Sequence, residues 1–163
     1  MKKCIIYIIC VTIFLSCSKK QVNIDNSHKD NLSEMKKNVV EKGDEKSFVE
    51  LILKIGNSTS QYDILPYAMI MANKYNSGEG CHQVFLGILS TNNPKNYGYN
   101  LSLVKNFNNA DKELVISYLQ KGVELNNENC ILALKELYRN GWGVNKDISK
   151  SDELERKYKS IPK

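Results

Sequence analysis

The 163-residue chain has two histidines, His28 and His82, and five cysteines, Cys4, Cys10, Cys17, Cys81 and Cys130. A histidine-based zinc site needs several N or S ligands converging on one point. His28 lies in a polar stretch far from His82, so no histidine pair is expected and no metal site is assigned. There is no glycine-rich phosphate loop, no G-x-S-x-G string and no cysteine with a local histidine partner in a pattern that would define a nucleophile. Asp152, Glu153 and Glu155 cluster near the C-terminus, but Lys150, Arg156, Lys157 and Lys159 are interleaved with them, the pattern of a solvated charged face rather than of a general acid and base. Met69 and Met71 could be a soft ligand pair, but their setting in an apolar run fits core packing. The expectation is no catalytic residue, no cofactor and no enzyme activity.

The elements around these residues begin with Lys2 and Lys3, followed by an apolar run over residues 4–15 broken only by Tyr7 and Thr12. That is the layout of a secretory signal peptide. The run is shorter than the about 20 apolar residues of a membrane-spanning helix. Phe14, Leu15, Ser16 and Cys17 close it, and this string resembles the lipobox of bacterial lipoproteins. Phe14 stands where the pattern usually has Leu. The resemblance implies that residues 1–16 are removed and that Cys17 becomes an acylated N-terminus. Two or more acyl chains hold firmly, at about 0.8 kcal/mol per buried CH₂. The expected location is the bacterial cell envelope, at the periplasmic face or the outer membrane.

Residues 17–31 are polar, with only Val22 and Ile24 as aliphatics, and read as a tether with a typical reach of about 20 Å. The formal charge of +5 falls to +3 without Lys2 and Lys3, and it is scattered. That excludes the clustered basic face a nucleic-acid partner requires. From residue 32 to 163 the apolar spacing predicts helices separated by short turns, an all-α fold. Asn31 with Glu34 suggests a capping box, Gly43 a stop and Asp44 the next cap. The helix over 45–56 has a polar stripe of only Lys46, Glu50 and Lys54, so it is expected to pack on two sides. Asp63 can cap a third, nearly buried helix with Pro66 in its first turn. A fourth is expected from Cys81, a short helix over 101–107, one from Asn109 or Asp111 through Leu125, and the last two over 128–140 and 148–160.

Placing Cys130 over Cys81, a shift of 49, aligns two helix pairs. Such pairs bury both faces only by stacking, which predicts antiparallel helix pairs in a short α-solenoid. Leu134, Tyr138, Gly141, Gly143, Val144, Asp147 and Lys150, in LKELYRNGWGVNKDISK, then resemble a Sel1-like repeat, a relative of the tetratricopeptide repeat. Lys135 and Ser151 replace the pattern's Gly and Ala. One clear repeat and one or two degenerate ones cover about residues 63–160. In the turn, Gly141 ends one helix, Gly143 allows the reversal and Asp147 caps the next.

An oxidising envelope favours a disulfide between Cys81 and Cys130. Equivalent positions in successive repeats would instead sit on helices about 8 to 10 Å apart, beyond the about 7 Å a disulfide bridges. The expectation is two buried packing residues, with the oxidised pair as the alternative. The resemblance implies adaptor or scaffold work in which first helices line a concave groove, and some repeat-bearing lipoproteins neutralise toxins. The candidate partner face is His82, Gln83, Leu132, Lys135 and Arg139. The expected function is an anchored lipoprotein whose body binds another protein, as an envelope adaptor or toxin-immunity protein. An accessory subunit or weak hydrolase of the envelope is the second reading.

Overall fold

The computed structural model describes residues 26–56, 63–93 and 99–162. Cys17, the signal segment and most of the tether lie outside the described residues. The chain divides into units of residues 1–30 and 31–163, and the second holds the architecture that follows. The helices are α1 (Asn26–Lys42), which belongs to the second unit from residue 31 onward, and then α2 (Glu45–Gly56), α3 (Leu65–Lys74), α4 (Gly78–Thr91), a 3-10 helix (Leu101–Asn106), α5 (Asn109–Glu124), α6 (Glu128–Asn140) and α7 (Ile148–Ser160). No strand occurs among the described residues.

Short polar residues start most of these helices. Asp44 Oδ1 accepts from Ser47 N at 2.7 Å, Ser77 Oγ from Gly80 N at 2.8 Å and Asn108 Oδ1 from Asp111 N at 2.9 Å. Asn127 Oδ1 accepts from Cys130 N at 2.9 Å and Asp147 Oδ1 from Lys150 N at 3.0 Å. Each such cap contributes about 1 kcal/mol. Three starts differ from the sequence expectation. α1 begins at Asn26, because extending a helix already nucleated by its amphipathic part costs little. Asn31 is therefore inside the helix, and its Oδ1 accepts from Lys54 Nζ of α2 at 2.9 Å. α4 begins at Gly78 rather than Cys81, held by the Ser77 cap. In α3 the N-cap is Ile64, not Asp63, and no side chain caps it. Ile64 is buried, and Pro66 removes an N–H that would otherwise need a partner.

Consecutive helices pack as pairs: α3 on α4, α4 on α5, α5 on α6 and α6 on α7, with α4 also meeting α6. One continuous core runs through the stack, from Phe48 and Leu51 through Met71, Phe85 and Leu119 to Ile131 and Leu137. Tyr75 ties α3 back to α1 by donating from its hydroxyl to Val40 O at 2.8 Å. α2 is packed on one side only, since Val49 and Leu53 are 46% and 59% exposed. Met69 of α3 is likewise exposed, so that helix is less buried than its composition suggests.

The two helix pairs repeat with a shift of 50, not 49. Asn76 and Asn126 both take left-handed backbone angles, φ 53° and 58°, in the turn before the next cap. Ser77 and Asn127 are the matching N-caps. Gly80, Cys81, Gln83, Val84 and Gly87 are buried on α4, and Cys130, Ile131, Ala133, Leu134 and Leu137 fall at the same positions on α6. Cys130 is thus the counterpart of Gly80. Alignment on the two cysteines was off by one residue.

Candidate functional site: the groove between α4 and α6

α4 and α6 run side by side, and the faces they leave uncovered form an open groove of about 390 Å³. His82 and Leu86, four residues apart, give the α4 wall. Asn129, Leu132, Ala133 and Glu136 give the α6 wall, and Tyr99 with Leu101 close the third side. The spacing on each helix is that of one surface stripe. The third side is fixed from behind. Asn100 Oδ1 accepts from Ser102 N at 3.1 Å and from its hydroxyl at 2.8 Å, starting the 3-10 helix. Val104 of that helix is fully buried against the Gly143 turn.

The polar end of the groove is organised by Glu79. Its Oε1 accepts from Gln83 Nε2 at 2.8 Å, and its Oε2 from Asn127 Nδ2 at 3.4 Å. His82 Nδ1 lies 3.5 Å from Oε1, an electrostatic contact too long for a well-formed hydrogen bond. That buried nitrogen has no hydrogen-bond partner. Burial pushes the Glu79 carboxyl up, but the interactions from His82, Gln83 and Asn127 outweigh it and leave the group below its ordinary value. The Glu79 carboxylate stands beside Nδ1 of the His82 ring, and the residue itself lines the groove. Phe85 backs the ring, with centroids 6.3 Å apart, and meets Tyr99 edge-on at 6.4 Å.

Of the residues singled out from sequence, His82 and Leu132 line this groove. Gln83 is buried behind it on Glu79. Lys135 and Arg139 face α7 instead. Lys135 Nζ lies 3.0 Å from Glu155 Oε2 and 3.4 Å from Glu136 Oε1, with only 13% of its side chain exposed. Arg139 Nε donates to Ser151 Oγ at 3.3 Å. The stripe on α6 is wide enough for α7 to cover one edge of it, so the five residues do not share one open face. Leu86, Tyr99, Leu101, Asn129, Ala133 and Glu136 escaped the sequence reading. Three of them, Leu86, Asn129 and Glu136, sit three or four residues from His82 or Leu132, a signal that spacing alone offers.

The turn residues hold α6 to α7. Gly141 is the left-handed C-cap at φ +70°, and Gly143 has φ +74°. Asp147 N donates to Tyr138 O at 2.9 Å, while Lys150 Nζ stands 5.0 Å from the Tyr138 ring centroid. Leu134 is buried and Val144 packs half-buried on the core.

The groove can grip an apolar side chain and sets the polar groups of His82, Asn129 and the Glu136 carboxylate beside it. Among the described residues its walls carry no serine, cysteine or lysine. Among the described residues no group of three or more His, Cys, Asp or Glu converges as a metal site, and no helix is long and apolar enough to cross a membrane. No protein-family model matches the chain, and neither does a curated protein or a solved structure.

Proposed function

We propose that the chain is an exported lipoprotein, anchored through Cys17, whose Sel1-like helical pairs bind another protein in the groove between α4 and α6. The observation that carries the binding reading is the groove itself: apolar walls from three elements around an ordered polar end. The partner is a protein segment that inserts a large apolar side chain beside a lysine or arginine. The ionisable wall residues are His82 and Glu136, with the Glu79 carboxylate behind His82; no lysine or arginine lines the groove among the described residues, and Lys135 reaches Glu136 from outside the lining, 3.4 Å from its Oε1. Charge of opposite sign on the partner is what selects among apolar segments. The export reading is supported by Lys2 and Lys3, the apolar run that follows and the Leu15-Ser16-Cys17 string.

Panning a random peptide display library on the full chain tests the binding reading. The parent should enrich peptides that pair a large apolar residue with Lys or Arg. Leu132→Asp should abolish the enrichment, and Glu136→Lys should shift it toward acidic peptides. Equal enrichment on parent and Leu132→Asp contradicts the groove assignment. Cys17→Ala should leave an unprocessed or soluble chain, and unchanged mass and membrane fractionation contradict the anchor.

A further inference from the structure

Cys81 on α4 and Cys130 at the start of α6 are both fully buried. They meet where α5 has no side chain. A Cβ built on Gly122 would lie 2.7 Å from Cys130 Cβ and 3.3 Å from Cys81 Cβ, and would overlap Cys130 Sγ. Both cysteines therefore border the same point. Their Cβ atoms can be no farther apart than those two distances laid end to end, an upper limit about 1.5 Å beyond the about 3.5 to 4.5 Å of a disulfide. Cys130 Sγ donates only a long, weak hydrogen bond, to Gly78 O at 3.9 Å. The Gly122 distances answer the objection raised from sequence, because they bring both Cβ atoms around one point even though α4 and α6 are separate helices. In the repeat register Cys130 matches Gly80, so the two thiols are one position out of step along the helices.

We infer that Cys81 and Cys130 form a paired-thiol site that closes to a disulfide by exchange with an oxidised thiol compound, stapling α4 to α6. One cysteine loses its proton and attacks the S–S bond of the oxidant, R–S–S–R. The S–S bond breaks, a mixed disulfide forms, and the departing RS⁻ takes up the proton. The second cysteine attacks the protein sulfur of that mixed disulfide, and a second RSH leaves. The protein loses two hydrogens and the oxidant is reduced to two thiols. Burial raises both thiol pKa values, so the packed core holds little of the reactive thiolate. Exchange therefore belongs to the folding chain, before α5 seals the pair. The consequence reaches the groove, because Cys81 adjoins His82 and Cys130 adjoins Asn129. A bond between them fixes the separation of the two walls. The site stands independently of what the groove binds.

The test uses the full chain, reduced in denaturant and refolded either with a mixture of reduced and oxidised glutathione or with reduced glutathione alone. Free thiols are then capped with iodoacetamide and the chain is digested with trypsin. Cys81 falls in the tryptic peptide 75–95 and Cys130 in 122–135. The oxidised sample should yield these two peptides joined, two hydrogens lighter than the separate pair, and the reduced sample should not. Cys81→Ser and Cys130→Ser should each remove the joined species, leaving the other thiol capped by iodoacetamide or glutathione. The oxidised parent should melt higher than the reduced parent, a difference absent in both variants. Recovery of the two peptides separately from a refolded, helical, oxidised chain overturns the inference. So does pairing with Cys4, Cys10 or Cys17 at comparable yield, or failure to regain helicity in the oxidising mixture.

Discussion

Replacing Gly143 with alanine loads two separable costs onto one turn. The backbone at Gly143 has φ +74°, where an L-residue costs about 1 to 2 kcal/mol. The added Cβ would also come to 2.5 Å from Val104 Cγ1 and 3.2 Å from Val104 O. Overpacking of that kind costs a further about 1 to 3 kcal/mol. Gly141 is the internal control, since it has φ +70° but its added Cβ would come no closer than 3.2 Å to Lys146 Cβ, at the tip of an exposed turn. Gly141→Ala should therefore cost only the backbone share, and Gly143→Ala about 1 kcal/mol or more beyond it. Val104→Ala removes the methyl group in the way and by itself costs about 2 kcal/mol as a cavity. In the double variant the side-chain clash at 2.5 Å is gone and only the milder approach to Val104 O remains, so the sum of the single costs should exceed the double cost by about 1 kcal/mol or more, a non-additivity expected of contacting residues. Urea unfolding of all four chains measures this. Strict additivity, or equal losses at Gly141 and Gly143, would refute the packing of this turn on the 3-10 helix that carries Leu101 into the groove.

Other consequences are simpler to measure. Lys135→Glu should lower the melting temperature, because it places a third carboxylate against Glu136 and Glu155, and Arg139→Glu should do so less. The Glu79 carboxyl titrates lower in the folded chain than in the unfolded one, so its contribution is complete above the ordinary glutamate range and is lost as pH falls through the folded value. Glu79→Gln should therefore be less stable than the parent at neutral pH and converge with it in acid, as urea midpoints across pH will report. Leu51→Ala should cost about 2 to 5 kcal/mol and Leu53→Ser about 0.5 kcal/mol or less, since only the first is buried. Equal losses at the two positions would contradict the one-sided packing of α2.

The parts of the fold that could be read from sequence are those with local punctuation. Asn127, Gly141, Asp147 and Ser160 mark α6 and α7 unambiguously, and both helices fall where the apolar spacing places them. α4 was harder because Gly78, Glu79 and Gly80 look like a loop, although the Ser77 cap three residues before Gly80 is itself a readable signal. The repeat register slipped because two cysteines attract an alignment that chain geometry does not honour. The third wall of the groove was out of reach. Tyr99 and Leu101 approach α4 and α6 only through tertiary packing, which no local spacing encodes. The same holds for Lys135, whose fate depends on which edge of α6 the last helix covers.

The central claim is that the chain works by holding a protein segment between α4 and α6. A photoreactive amino acid placed at Leu132 in the full chain, expressed in bacterial cells, tests it most directly, with Glu113, exposed on α5, as the control position. Illumination should give one discrete crosslinked protein from Leu132 and none from Glu113. That product should disappear when Leu86→Asp is introduced on the opposite wall. Crosslinking that is the same at both positions, or that survives Leu86→Asp, would contradict the account.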